Sequence, residues 1–257
     1  MRILAYYIGL VALMGCTGLS ETSDPPASAS PSYPQWFVTA PPATDSLVWA
    51  VGQAQSYINP DDGMAGARDS AYVALRRAVH HVLEGERLYE APPRFEITSR
   101  GQRFTERELP DTLTAVSYVD SVQVEGMSLM LAAWHPERDT APSVPDMRIS
   151  FAEKRPSWVD ASQTNSESGV RAVGRAPVYY RRAHTWHAAE QNAREQLALE
   201  TAAGIQSMDR SEADRRHVIY RLYTAIRFST MQVEQRWSDG TYAYVLLRAN
   251  IDEVLVE

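Results

Sequence analysis

Residues 50–54 read Ala-Val-Gly-Gln-Ala, and residues 172–176 read Ala-Val-Gly-Arg-Ala, 122 positions further on. The same offset carries Pro34 onto Pro156, Trp36 onto Trp158 and Tyr57 onto Tyr179. It also carries Ala67, Ala71 and Leu75 onto Ala189, Ala193 and Leu197, with no gap from residue 34 to 75. Chance matches a few alanines; it does not match two Pro-x-Trp and two Ala-Val-Gly-x-Ala motifs in one register. A second anchor follows at a smaller offset, Thr114-Ala115-Val116 against Thr224-Ala225-Ile226 and Gln123-Val124-Glu125 against Gln232-Val233-Glu234. These matches predict two homologous domains, 34–138 and 154–257, with a linker over 139–153 where Asp139, Pro142, Pro145 and Asp146 break any periodicity. A unit of about 110 residues is a common domain size and too long for a solenoid repeat.

Each copy has a coarse element pattern. The apolar run Val48–Ala54 is a strand. The stretch Asn59-Pro60-Asp61-Asp62-Gly63 is a turn that sets acidic residues at a helix start, where the dipole favours them. Ala67, Ala71, Ala74, Leu75, Ala78, Val79 and Val82 recur at helical spacing, as do Ala189, Ala193, Leu197, Thr201 and Ile205 in copy two. A second helix is expected from Glu212 to about Ala225, with Ser211 as its N-cap and Asp214 three residues on; Pro110 obscures the matching region of copy one. Both copies close on a strand pair. In copy two it is Ile226–Trp237 and Thr241–Ile251 around Ser238-Asp239-Gly240; in copy one it is Val116–Glu125 and Met127–Ala133, joined near Gly126. The expected class is α+β, each domain a small, mainly antiparallel sheet packed against one or two helices.

The chain ahead of the repeats reads as an address. Arg2 is followed by an apolar run, Ile3–Leu13, too short to span a bilayer as a helix. Then come Leu13, Met14, Gly15 and Cys16, which resemble a bacterial lipobox: an aliphatic residue at −3, a small one at −1, then the cysteine that receives the diacylglycerol. In proteins with this motif the signal peptide, here 1–15, is removed and the new amino terminus is acylated. The expected product is a lipid-anchored protein of the cell envelope, held by several acyl chains, which bind a membrane firmly. The non-Asp residue Thr17 favours the outer membrane by the same resemblance, facing the periplasm. Residues 16–33 follow as the lipidated cysteine and a Ser/Pro-rich tether.

Composition narrows the function. The 257 residues hold 25 Lys+Arg against 32 Asp+Glu, a formal net charge of −7, which argues against a nucleic-acid partner. The single cysteine excludes an intrachain disulfide and a Cys-cluster zinc site. Lys154 is the one lysine. Residues 33–144 carry 9 basic and 15 acidic residues and 145–257 carry 15 of each, so the two copies present different surfaces, as they would to different partners.

The combination of lipobox, Pro-x-Trp, Val-Gly-x-Ala, an Ala-rich helix with Ala-Arg and a final strand pair resembles the LPP-twenty lipoprotein family and the related amino-terminal domain of the flagellar assembly protein FlgT. The residues that carry it are Pro34, Trp36, Val51, Gly52, Ala54, Ala67, Arg68 and Ala71, then Pro156, Trp158, Val173, Gly174, Ala176, Ala193 and Arg194. Two copies stand where many members carry one, and copy one lacks the Asp-Gly hairpin. The resemblance implies a non-enzymatic, envelope-associated role, in an outer-membrane or flagellum-associated structure, and supplies no catalytic residue.

No Gly-x-Ser-x-Gly, Ser-x-x-Lys, His-Glu-x-x-His or P-loop motif occurs. His184 and His187, three apart at a helix start, could face one ligand; His80 and His81 are adjacent and splay apart on a helix. A metal site wants more ligands, so neither a metal nor a cofactor is expected. Val51-Gly52 and Val173-Gly174 fit a tight strand exit or a close helix contact better than a nucleotide loop. Trp36 and Trp158 read as packing anchors before binding aromatics. The leading expectation is a non-catalytic binding or assembly protein, with other envelope proteins or copies of itself as partners. The alternative is an envelope hydrolase with its site in the groove between the domains, which converging carboxylates or histidines would favour.

Overall fold

The computed structural model describes residues 31–255 apart from 45, 57–58, 80, 91–97, 109–111, 138–139, 141, 162–164, 167–168 and 210–218. For 81, 85–90, 98–108, 165–166, 199–200, 202–209, 219–225 and 254–255 it describes the backbone alone. The expected signal peptide and tether, with Leu13, Met14, Gly15 and Cys16, lie outside the described residues, as does His80.

In chain order the elements are β1 (Tyr33–Pro34), α1 (Gln35–Val38), β2 (Val48–Gln55), α2 (Pro60–Val79), β3 (His81–Glu90), β4 (Thr98–Glu108), β5 (Val116–Val124) and β6 (Met127–Trp134). Then follow β7 (Arg148–Ile149), a 3-10 turn (Ser157–Val159), β8 (Asn165–Ser166), β9 (Gly169–Pro177), α3 (Arg182–Asp209), β10 (Ile219–Ser238) and β11 (Tyr242–Leu255). Every strand pair is antiparallel, so the α+β class holds.

The internal repeat is visible as topology. In the first copy the strand order is β2-β6-β5, and in the second β9-β11-β10, each with its helix inserted after the first strand. The reason for the Val-Gly motif is a backbone contact. A Cβ placed on Gly52 would lie 2.0 Å from the Ala67 carbonyl oxygen and 2.2 Å from the Ala71 nitrogen. On Gly174 it would lie 2.0 Å from the Ala189 carbonyl oxygen and 2.3 Å from the Ala193 nitrogen. Glycine in the strand and alanine in the helix let backbone meet backbone, so the close-helix reading of both glycines is right. Ala67, Ala71, Leu75, Ala78 and Val79 are buried on α2, and Ala189, Ala193 and Leu197 on α3.

Several expectations are corrected. Val82 does not extend the α2 stripe: the helix ends at Val79, and Val82 is buried in β3. Residues 219–225, expected in a second helix, are the start of β10; Ile219, Tyr220, Tyr223 and Thr224 are β-branched or aromatic types that suit a pleated surface, and 212–218 lie outside the described residues. Gln55 pairs with Met127 and Pro177 with Tyr242, so the final strands superpose at an offset of 115. The second sequence anchor, at 109 to 110, is therefore a coincidence of composition and not the structural register.

The middle of copy one holds a hairpin rather than a helix. Its strands β3 and β4 leave their own repeat and extend the other sheet, whose full order is β4-β3-β10-β11-β9-β8. Strand β10 is long enough to pair with β11 along one edge and with β3 along the other, from Ile219↔Glu90 to Phe228↔His81. The boundaries expected at 138/139 and 153/154 consequently do not separate two bodies: residues 31–257 form one compact unit. The expected linker is built into that unit. Its β7 pairs with β1, Phe151 packs its ring 5.6 Å from Trp186 and 4.7 Å from Tyr33, and the Ala152 carbonyl accepts the Trp237 Nε1–H at 2.7 Å.

Candidate functional site

Where the repeats meet, a polar clasp, buried at Gln53, Glu190 and Arg236, joins five elements. Arg236 of β10 leaves the solvent almost completely, its side chain 2% exposed. Its Nη2 donates to Glu190 Oε1 on α3 at 2.8 Å, its Nη1 donates to the Phe37 carbonyl on α1 at 2.9 Å, and its guanidinium lies 4.7 Å from the centre of the Phe37 ring. Glu190 Oε1 also accepts from Gln53 Nε2 of β2 at 3.3 Å. His187, one helical turn before Glu190's position, donates from Nε2 to the Gln53 carbonyl at 3.1 Å; a carbonyl only accepts, so this bond selects the Nε2–H tautomer. The Gln53 N–H is in turn received by Ser70 Oγ of α2 at 3.2 Å. An ion pair this dry offsets its desolvation only because further hydrogen bonds hold both partners.

Beside the clasp lies a cavity of about 270 Å³. Its lining includes the apolar side chains of Trp49, Val51, Val73, Met231, Val233 and Leu247. It also includes the polar and charged residues Asp69, Ser70, Arg77, His187, Glu190, Arg194, Gln232 and Arg236. Both copies contribute: α2 and β2 from the first, α3, β10 and β11 from the second. A second cross-repeat contact is centred on Glu125. The Tyr33 hydroxyl donates to Glu125, and Arg182 Nε of α3 stands 4.0 Å from the same carboxylate. Burial first, and then the hydrogen bond and charge of Glu125, push the Tyr33 hydroxyl far above the ordinary tyrosine range.

The residues singled out from sequence fall into distinct places. Trp36 is 3% exposed and its Nε1 donates to Asp120 Oδ2 at 2.7 Å, which makes it a packing anchor. Trp158 is half-buried against Val159, Trp237 and Tyr244. Val51 lines the cavity, Ala54 is half-buried, Val173 packs against the Trp237–Tyr244 pair, and Ala176 is buried. Pro34 lies in β1 and Pro156 precedes the 3-10 turn. Arg68 stacks its guanidinium 4.3 Å above the Tyr118 ring, and Arg194 lines the cavity. His184 is exposed, His81 falls in a strand rather than a helix, and no group of three or more His, Cys, Asp or Glu is placed to hold a metal ion among the described residues.

Sequence reasoning missed Gln53, Glu190 and Arg236. Glu190 left a trace: it shares a stripe with Trp186, Ala193 and Leu197, a charged residue on an otherwise apolar helix face. Arg236 left none, because register shifts in β10 at Phe228 and again between Val233 and Gln235 erase the alternation that would have shown it pointing inward. No protein-family model, no curated protein and no solved structure matches the chain, so the resemblance to the LPP-twenty family rests on the motifs quoted above.

Proposed function

We propose that this is a lipid-anchored protein of the bacterial cell envelope, attached through Cys16 to the outer membrane on its periplasmic side, whose duplicated body works by binding or assembly. Supporting the anchor are the lipobox and the Ser/Pro-rich tether; among the described residues no helix is long and apolar enough to cross a membrane. The observation that carries the binding half is that the ionisable groups of the clasp are engaged: Glu190 in an ion pair with Arg236, and His187 on the Gln53 carbonyl. Groups held this way shape a cavity. The proposed partners are other envelope proteins or further copies of the chain, as the LPP-twenty resemblance implies. Cys16→Ser is the direct test: the variant should leave the membrane fraction and lose acylation, and its retention there would remove the anchor. Capture of partners by the wild-type protein should fall with it.

A second reading, an envelope hydrolase, draws on one observation: Asp69, Ser70 and His187 all line the cavity. Turnover of p-nitrophenyl acetate that disappears in His187→Ala would put that reading first.

A further inference from the structure

We infer that the loop 178–181 between β9 and α3, with the neighbouring β7 segment, is a membrane-contact surface: its tyrosines and arginines lie on the anionic phospholipid headgroups of the bilayer that holds the acyl chains. The inference rests on the Cys16 anchor proposed above and adds an orientation to it. Exposure is the first reason. Four large apolar or aromatic side chains are exposed among the described residues, and three of them, Tyr180 at 99%, Met147 at 50% and Tyr179 at 45%, belong to these two segments. The loop is pinned on both sides of Tyr180. The Val178 N–H donates to the Thr241 carbonyl at 2.9 Å, the Tyr179 N–H to Thr185 Oγ1 at 2.8 Å, and the His184 N–H to the Arg181 carbonyl at 3.0 Å. Tyr180 is thus held outward by a fixed turn. An amphipathic ring in that position suits the headgroup level of a bilayer, apolar on one side and wet on the other.

Charge is the second reason. Segments 145–150 and 178–184 hold Arg148, Arg181, Arg182 and His184 against one acid, Asp146. Glu125 stands 4.0 Å from Arg182, while Arg148 and Arg181 are exposed. Arg181, Arg182 and His184 crowd the start of α3, where the helix dipole repels cations, and the first turn of α3 holds no acid. The matching start of α2 holds Asp61 and Asp62. The second copy therefore sets basic residues against its own helix, a conflict that an external anionic surface relieves. Position is the third reason, because the tether joins the body beside this surface. The Tyr33 hydroxyl and Arg182 meet on the same Glu125 carboxylate. The Phe151 ring links Tyr33 to Trp186, which follows Arg182 by one turn of α3. The Met147 carbonyl accepts the Gln35 N–H at 2.8 Å, and Arg148 lies opposite Pro34 in the β1–β7 pair. Residues 17–32 separate Cys16 from Tyr33, a reach of about 60 Å at most. Attachment here gives this surface a high local concentration of headgroups.

The test uses the acylated full-length protein in vesicles of phosphatidylethanolamine and phosphatidylglycerol that carry a spin label on their headgroups. Cys16 is blocked by its diacylglycerol, so one new cysteine takes a nitrobenzoxadiazole fluorophore. It is placed at His184→Cys, exposed beside the loop, or at Asp252→Cys, exposed near the far end of β11. The spin label should quench the first about twofold or more above the second, since Asp252 lies about 30 Å along β11 from Tyr242. Adding Tyr180→Ser and Arg181→Ser should remove the excess, and replacing phosphatidylglycerol with phosphatidylcholine should cut it by about half or more. Arg181→Ser should not lower the melting temperature, because the lost charge opposes the helix dipole. Equal quenching at the two positions, or an excess that survives the loop substitutions, would overturn the contact. An excess indifferent to lipid charge would overturn the role of the arginines. Shielding of the His184→Cys label from iodide without quenching by the lipid would give the surface to a second copy of the chain and overturn the bilayer. Failure of the anchor reads differently, as wild-type protein that carries no acyl chain and does not float with the vesicles.

Discussion

Glycine 52 and glycine 174 show how one residue type can be dictated by a neighbour rather than by a turn. Each lies in a strand interior, where glycine ordinarily weakens the strand, yet any Cβ would collide with helix backbone that has nowhere to retreat. Gly52→Ala and Gly174→Ala should each cost about 3 kcal/mol or more, measured by chemical denaturation. Gly66→Ala, whose new Cβ would approach only the Ala54 Cβ at 3.2 Å, should be close to neutral. The clasp behaves differently. Arg236→Met alone strands Glu190 in a dry site and should cost about 3–5 kcal/mol, whereas adding Glu190→Gln should recover part of that loss in a double-mutant cycle. At the β10–β11 turn, burial works against the Asp239 carboxylate. Donation from the Tyr242 and Thr241 N–H groups, the Tyr244 hydroxyl and the Arg155 charge outweigh it and hold Asp239 below the ordinary aspartate range. A depressed carboxylate stabilises the fold above its unfolded value, near pH 4, and loses that contribution as the pH falls through the folded value. The melting-temperature gap between wild type and Asp239→Asn should therefore be present at pH 6 and narrow toward pH 2.

At the scale of elements, most of what was legible in the sequence came from short-range pattern. The strand at Val48, the acidic helix start at Asp61 and Asp62, the alanine stripes and both closing strand pairs follow from spacing and turn chemistry alone. The elements that escaped are those whose partners lie far away in the chain. Strands β3 and β4 sit where the other repeat pattern suggested a helix or loop, and their edge is supplied by β10 of the second copy. The start of β10 was open to misreading because a cap-like Ser211 and Asp214 precede it. The two tryptophans, equivalent in sequence, are not equivalent in their surroundings: Trp36 is enclosed and hydrogen-bonded, while Trp158 is half-buried. Trp36→Ala should cost about 3–5 kcal/mol and Trp158→Ala clearly less, by urea unfolding of each variant. Equal losses would mean that the turn at Ser157–Val159 anchors its sheet as firmly as α1 does.

At the scale of the molecule, duplication has produced one body rather than two. The repeats share a sheet, a clasp and an aromatic cluster, so neither half is closed without the other. Residues 154–257 expressed alone should show poor dispersion in an NMR spectrum, because β10 then bares the edge that β3 covers, and adding residues 31–138 should restore it. The same exchange of strands sets a timetable. The chain emerges amino terminus first, and the β3–β4 hairpin is made while its seat does not yet exist: His81 must wait for Phe228, and Glu90 for Ile219. Contacts closed over so long a loop form late and slowly. Until β10 is made the first repeat therefore carries an unpaired hairpin, and it is in that interval, rather than after folding, that a chaperone would have work to do on this protein.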